Sequence, residues 1–294
     1  MNSFSISQLQ DYSGIKAHTI RIWEKRYNAL KPIRSEGNTR YYDSVQLRRL
    51  LNIASLMKMD YKVSELCTMS DEYLNNILDF QFSKTASGKP DSEYYISQII
   101  SSAISYDELR FEKFFSNCIL RFGLKATYVQ IIYPVLVRLG LMWSKDSLPP
   151  GQEHFITNLI RQKFLTAVDS LPTAADTNNS WLLFLAEDEF HETGLLLAYY
   201  LIRQSGNKVI YLGANIPAES LSAAVKDITP AKLLTFLVSK KDKEKDIELI
   251  RYINKQFPEQ KLYLACDPDR LPELKRSQHF IPLHSVADLE TQLI

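Results

Sequence analysis

Five short apolar runs in the last third of the chain constrain its fold more than any other feature: Trp181 to Ala186, Val209 to Leu212, Leu233 to Val238, Leu262 to Cys266 and Phe280 to Leu283. Each is too short for a helix, is apolar without alternation, and is separated from the next by a stretch with helical spacing. A strand that is apolar on both faces must be covered on both, and a parallel sheet with helices on its two sides does this. The expected form is a five-stranded, doubly wound, flavodoxin-like α/β domain over residues 178–294, in which ligands bind beyond the carboxyl ends of the strands. Upstream the pattern is helical, with segments near 93–104, 107–122, 125–142 and 151–170 divided by polar or Gly/Pro breaks, which predicts a four-helix bundle over 93–172. The stretch "SKTASGKPDS", residues 83 to 92, lacks apolar periodicity and reads as a linker.

The first 82 residues carry a different signature. Ser5 followed three residues later by Gln8 fits a capping box, and Gly14 supplies a tight turn between two short helices. Ile6, Leu9 and Tyr12 then face Ile15, Ile20 and Trp23, the spacing of a helix-turn-helix whose second helix, about Ala17 to Lys25, would enter the major groove of double-stranded DNA. In "NALKPIRSEGNTRYY" Pro32 and Gly37 break helicity, and the basic and aromatic residues suit a β-ribbon wing; Asp43 with Gln46 caps a further helix. Charge agrees: residues 1–50 hold nine basic and four acidic side chains, a balance of +5 in a chain of net charge +1, so a polyanion would bind at this end.

Other classes are argued against. No apolar run reaches bilayer-spanning length, and "MNSFSISQLQ" has neither a basic nor a hydrophobic signal region, so no membrane contact and a cytoplasmic location are expected. Cys67, Cys118 and Cys266 are odd in number and far apart, which speaks against a disulfide framework or a thiolate metal site. No nucleophile–base pair or phosphate-binding loop stands out, and an enzyme is not expected. The stretch that asks for a ligand is "EDEFHETG", residues 187 to 194, which places His191 in the loop after the first strand.

Two resemblances sharpen these expectations. "TIRIWEKRYNALKPIRSEGNTRYYDSVQLRRL" resembles the winged helix-turn-helix of the MerR family of transcriptional regulators over about residues 3 to 75, and "RIWEKRY" is similar to its branch of light-responsive repressors of carotenoid synthesis. That resemblance implies Thr19, Arg21 and Lys25 on the groove-facing helix, Arg26 and Tyr27 on phosphates, and Arg40 and Tyr41 in the wing. "EFHETG" resembles the Asp-x-His-x-x-Gly motif of cobalamin-binding domains, and "VIYLGANIPAESL" is close to the segment those domains carry after their second strand. The resemblance implies His191 as lower axial ligand of cobalt, Glu189 as acceptor for its other ring nitrogen, Gly194 beside the corrin and Thr235 on the nucleotide tail. "WSKDSLPPGQEH" adds Trp143, Glu153 and His154, which in the light-responsive repressors cap the upper face of adenosylcobalamin; His154 would take the upper position once light breaks the cobalt–carbon bond. Where the family has a Gly-Gly pair after its fourth strand, this chain has Ala265 and Cys266. The expected protein is a regulator of a palindromic operator, acting as a homo-oligomer, dimer or tetramer, assembled through its bundle and sheet. Two alternatives stay open: a MerR-type regulator whose C-terminal module only oligomerises or binds a partner, and a cobalamin-dependent enzyme or methyl-carrier subunit.

Overall fold

The computed structural model describes residues 4–35, 37–57, 61–84, 92–144, 150–174, 179–238, 243–266 and 280–293, and the chain divides into two compact units, Met1–Leu159 and Ile160–Ile294.

The first unit opens with α1 (Ile6–Ser13), whose start is the expected capping box: the Gln8 backbone N–H donates to Ser5 Oγ at 3.3 Å and the Ser5 N–H to Gln8 Oε1 at 2.5 Å. Gly14 ends it in the left-handed region at φ 71°, and α2 (Ala17–Tyr27) follows. Leu9, Tyr12, Ile20 and Trp23 are buried between them, while Ile6 and Ile15 are half-buried. The wing is a two-stranded antiparallel ribbon, β1 (Ile33–Arg34) and β2 (Arg40–Tyr41), with Ile33 opposite Tyr41. Asp43 caps α3 (Ser44–Met57) by accepting the Gln46 N–H at 2.8 Å, but the Gln46 side chain accepts from Lys31 N at 2.7 Å rather than closing a second box.

After α4 (Val63–Leu66) and α5 (Asp71–Lys84), which runs two residues into the expected linker, come the bundle helices: α6 (Ser92–Ser105), α7 (Glu108–Thr127), α8 (Tyr133–Ser144) and α9 (Pro150–Asp169). Residues 85–91, most of that linker, lie outside the described residues. Every residue of α6 from Tyr94 to Ile104 is buried, because α3 packs on it as well as α7. Several of its polar side chains are paired within the protein, though the buried Ser101 hydroxyl has no partner among the described residues. Ser102 Oγ donates to Gln98 O at 2.9 Å, Gln98 Nε2 to Ser55 Oγ at 3.3 Å, and Gln98 Oε1 accepts from Arg110. Gly123, at φ 74° and ψ 167°, breaks α7 where the sequence separates its second and third bundle segments, and a π-helical turn, Tyr128–Ile132, leads into α8.

The second unit is the predicted parallel sheet. Its elements are β3 (Trp181–Ala186), α10 (Thr193–Gln204), β4 (Val209–Ile216), α11 (Ala218–Ile228), β5 (Lys232–Leu237), α12 (Lys243–Gln256), β6 (Lys261–Cys266), β7 (Ile281–Leu283) and α13 (Val286–Thr291). The strand order β4-β3-β5-β6-β7 is all parallel. One face buries Leu182, Phe184, Leu233 and Leu264 against Leu221 and Val225 of α11 and Ile250 and Ile253 of α12. β4 is longer than its apolar run, since Leu183 pairs with Tyr211 but Phe184 with Gly213; one extra residue bulges out, and Gly213 takes φ 86° there. β3 lies between β4 and β5, so the loop after β3 sits where the chain's direction of winding reverses, the crevice in which such sheets hold ligands.

Candidate nucleic-acid interface and ligand site

α2 has one buried ridge and one open one. Ile20 and Trp23 point into the unit, whereas His18, Arg21, Ile22, Lys25 and Arg26 are exposed. Among the described residues no salt bridge engages Arg21, Lys25 or Arg26, so their charges face solvent; the Arg26 guanidinium lies 5.7 Å from the Tyr27 ring centre. Thr19 is half-buried with its hydroxyl 3.3 Å from His18 Nε2. Tyr27 is half-buried and Tyr41 exposed on β2. Arg40 has a different setting: its Nε donates to Glu24 Oε2 at 3.1 Å, and the Tyr42 hydroxyl donates to the other oxygen of Glu24. Burial, then the bond to Glu24, pushes the Tyr42 hydroxyl well above the ordinary tyrosine range, so it stays a donor. Glu24 thus ties the wing to α2, and sequence reasoning missed it, as it missed His18 and Ile22 on the open ridge. Arg49, counted with the basic residues, is structural. Its guanidinium donates to Ala29 O and Cys67 O at 2.8 Å, to Met69 O at 2.9 Å and to Asp71 Oδ1 at 2.5 Å, stitching α3 to the segments around it.

In the second unit the loop between β3 and α10 is clamped from both sides. Asp188, at φ 65°, donates its N–H to Asn215 Oδ1 at 2.9 Å, and Asn215 returns its own N–H to Glu189 O at 3.1 Å. The Glu189 carboxylate is buried at the centre of the loop. It accepts from Phe190 N at 3.0 Å, His191 N at 3.1 Å and, on its second oxygen, Val238 N at the end of β5 at 3.1 Å. Its first oxygen also lies 2.6 Å from His191 Nδ1. A carboxylate that already takes three N–H donors takes the ring as a donor too, so Nδ1 carries a proton and, in the neutral imidazole, the lone pair is on Nε2. The His191 side chain is 59% exposed, so a ring fixed from below presents itself to solvent.

Thr235, on β5, is 0% exposed and its Oγ1 has no hydrogen-bond partner among the described residues. A buried hydroxyl left in that state is expensive, and a ligand that supplies an acceptor or donor removes the cost. Gly194 is the second residue of α10, and Ala265 and Cys266 are half-buried at the end of β6. Sequence reasoning missed Glu192, beside His191: it pairs with Arg161 of α9 and accepts from the Tyr211 hydroxyl at 2.7 Å, while the Tyr211 ring stacks on Tyr199 with centres 5.0 Å apart. Of the remaining expected residues, Glu153 and His154 lie in the first turns of α9, 3.3 Å apart, in the first unit. Trp143 is on α8, and its side chain lies outside the described residues.

Residues 4–72 match the family of MerR HTH regulatory proteins. The HTH-type transcriptional repressor CarH of Myxococcus xanthus is 24% identical over 78% of this chain and 76% of its own length. The repressor CarA of the same organism is 26% identical over 74% of this chain and 70% of its own. Among solved structures, the monomethylamine corrinoid protein of Methanosarcina barkeri shares the fold, with a TM-score of 0.55 at 11% identity over 68% of this chain and 97% of that one.

Proposed function

We propose that this chain, a transcriptional regulator of the MerR type with a cobalamin-binding-like C-terminal module, binds a palindromic operator through residues 1–82 and senses adenosylcobalamin through residues 93–172 and 178–294. The observation that carries the sensing half is the Glu189–His191 pair: a histidine held through Nδ1 by a buried carboxylate, at the sheet's ligand-binding edge, offers Nε2 to a metal. The orphaned Thr235 hydroxyl fits the same group, as a donor or acceptor for its nucleotide tail, and Gly194 would let the backbone approach the corrin. When bound, adenosylcobalamin supplies a light-sensitive cobalt–carbon bond. The chain's own part is to orient the imidazole, bury the tail and exclude water.

The DNA half rests on the open basic ridge of α2 and on the similarity to repressors. Arg21, Lys25, Arg26 and Tyr27 would bind phosphates or base edges, Thr19 would stand at the groove and Tyr41 in the wing, with Arg40 holding that wing through Glu24. A palindrome presents two half-sites, so the acting form is a dimer or tetramer, in the cytoplasm, with no reaction catalysed. Ala265 and Cys266 in place of the family's Gly-Gly favour one second reading, a regulator whose module binds a partner or itself and no corrinoid.

The test is to incubate the protein with adenosylcobalamin in the dark, desalt it, and compare its visible spectrum with that of His191→Ala, alongside salt-dependent binding of duplex DNA. A corrin spectrum retained by the wild type and lost or altered in the variant is expected. A colourless wild type that still binds DNA selects the second reading. A coloured protein with no affinity for duplex DNA would mean a corrinoid carrier.

A further inference from the structure

Ile22 is 45% exposed in the middle of α2. With about 100° between successive helical residues, Ile22 stands about 130° round the helix from the midpoint of buried Ile20 and Trp23 and half-buried Tyr27, on the open ridge it shares with His18 and Lys25. Arg21 and Arg26 flank that ridge on its two sides. A β-branched apolar side chain is a poor choice for a solvated helix face: it lowers helix propensity and exposes hydrocarbon to water. Here it lies on a cationic surface, between Arg26 on one side and His18, Lys25 and Arg21 on the other.

We infer that Ile22 reads thymine, packing its side chain on the C5-methyl group of the base in the major groove. The inference rests on the DNA-binding reading and deepens it. Isoleucine has no side-chain donor or acceptor, so the group it distinguishes at a base edge is the thymine methyl, which the other three bases lack. The basic flanks hold the helix against the backbone without reading sequence, which leaves the apolar side chain between them to add discrimination. Lys25 on the same ridge would serve guanine edges, so α2 carries a mixed code of one charged and one apolar reader.

The experiment uses the full chain. Duplexes are selected from a random-sequence pool, and each thymine of the enriched site is replaced in turn by deoxyuridine, which pairs identically but lacks the methyl group; affinities are measured at fixed salt. For the wild type, one position in each half-site is expected to weaken binding about fourfold per methyl removed, the equivalent of about 0.8 kcal/mol. Ile22→Ala, at an exposed position that does not disturb folding, is expected to bind the thymine duplex as weakly as the wild type binds the deoxyuridine one, and to show no thymine preference there. An enriched site at which no deoxyuridine matters, or at which Ile22→Ala stays as sensitive as the wild type, overturns the inference and leaves the DNA-binding reading standing. A pool that enriches nothing, with no salt-dependent binding, overturns both.

Discussion

Thr235 shows what a ligand site costs a protein before the ligand arrives. Its side chain is completely enclosed, and its hydroxyl makes no hydrogen bond to any described residue. Replacing it by valine keeps the shape and removes the unpaired group, so Thr235→Val is expected to raise the unfolding free energy of the free protein by about 1–3 kcal/mol while weakening retention of a corrinoid. Denaturant midpoints without ligand and the visible spectrum after desalting give the two readouts. A valine variant that is less stable than the wild type would show that the hydroxyl is hydrogen-bonded in the free protein and is no ligand donor. At this scale the sequence was legible for residues whose role depends on near neighbours. Glu189 and His191 are two positions apart, so their pairing could be anticipated from a short motif. Glu192 could not: its partners Arg161 and Tyr211 come from other elements. The same limit separates Arg21 from Arg49, alike in a charge count, one in solvent and one bound to three carbonyl oxygens.

Elements were legible wherever a local break marks their ends. Gly123 is the clearest case. Its φ of 74° with ψ of 167° is a region that glycine alone enters readily, and a β-carbon there would meet no neighbouring atom within 4 Å, so the requirement is conformational and not one of space. Gly123→Ala is expected to cost about 1–3 kcal/mol through backbone strain, read as a lower denaturant midpoint with unchanged far-ultraviolet circular dichroism. An unaltered midpoint would mean that α7 relocates its break at no cost. The five strands were equally legible, because each apolar run is short and bounded; β3, β5 and β6 are buried through their centres, while β4 at the sheet edge is mostly half-buried. Two things escaped. β4 continues past its apolar run because a bulge at Leu212 and Gly213 shifts its register against β3, a long-range pairing no local pattern reports. α6 is buried from Tyr94 to Ile104 because α3 covers it as well as α7, and the partners of its Gln98, Ser55 and Arg110, come from other helices.

Among the described residues every shifted thiol and phenol is raised, and this gives stability a direction with pH. Burial pushes the Cys118 thiol up to about 12 and the Tyr95 hydroxyl up to about 12, and raises the thiol of Cys67 and the hydroxyls of Tyr42, Tyr128, Tyr211 and Tyr263. Lys232 runs the other way: burial and then the neighbouring Lys261 lower it, and partial exposure keeps its effect small. For a raised acid the folded state keeps a proton that the unfolded chain gives up, so its contribution is whole below the unfolded value, 9.0 for Cys118, and is lost as pH climbs toward the folded one. The first unit should therefore hold its stability up to about pH 9 and lose it progressively above, with Cys118 accounting for about 1 kcal/mol by pH 10. Urea midpoints at pH 8 and pH 10 check this. Cys118→Ala will be less stable at both, because it opens a cavity, but the fall between the two pH values should shrink by that amount. An undiminished fall would place the alkaline loss on the tyrosines, whose unfolded value of 10.0 makes their share begin a full pH unit later.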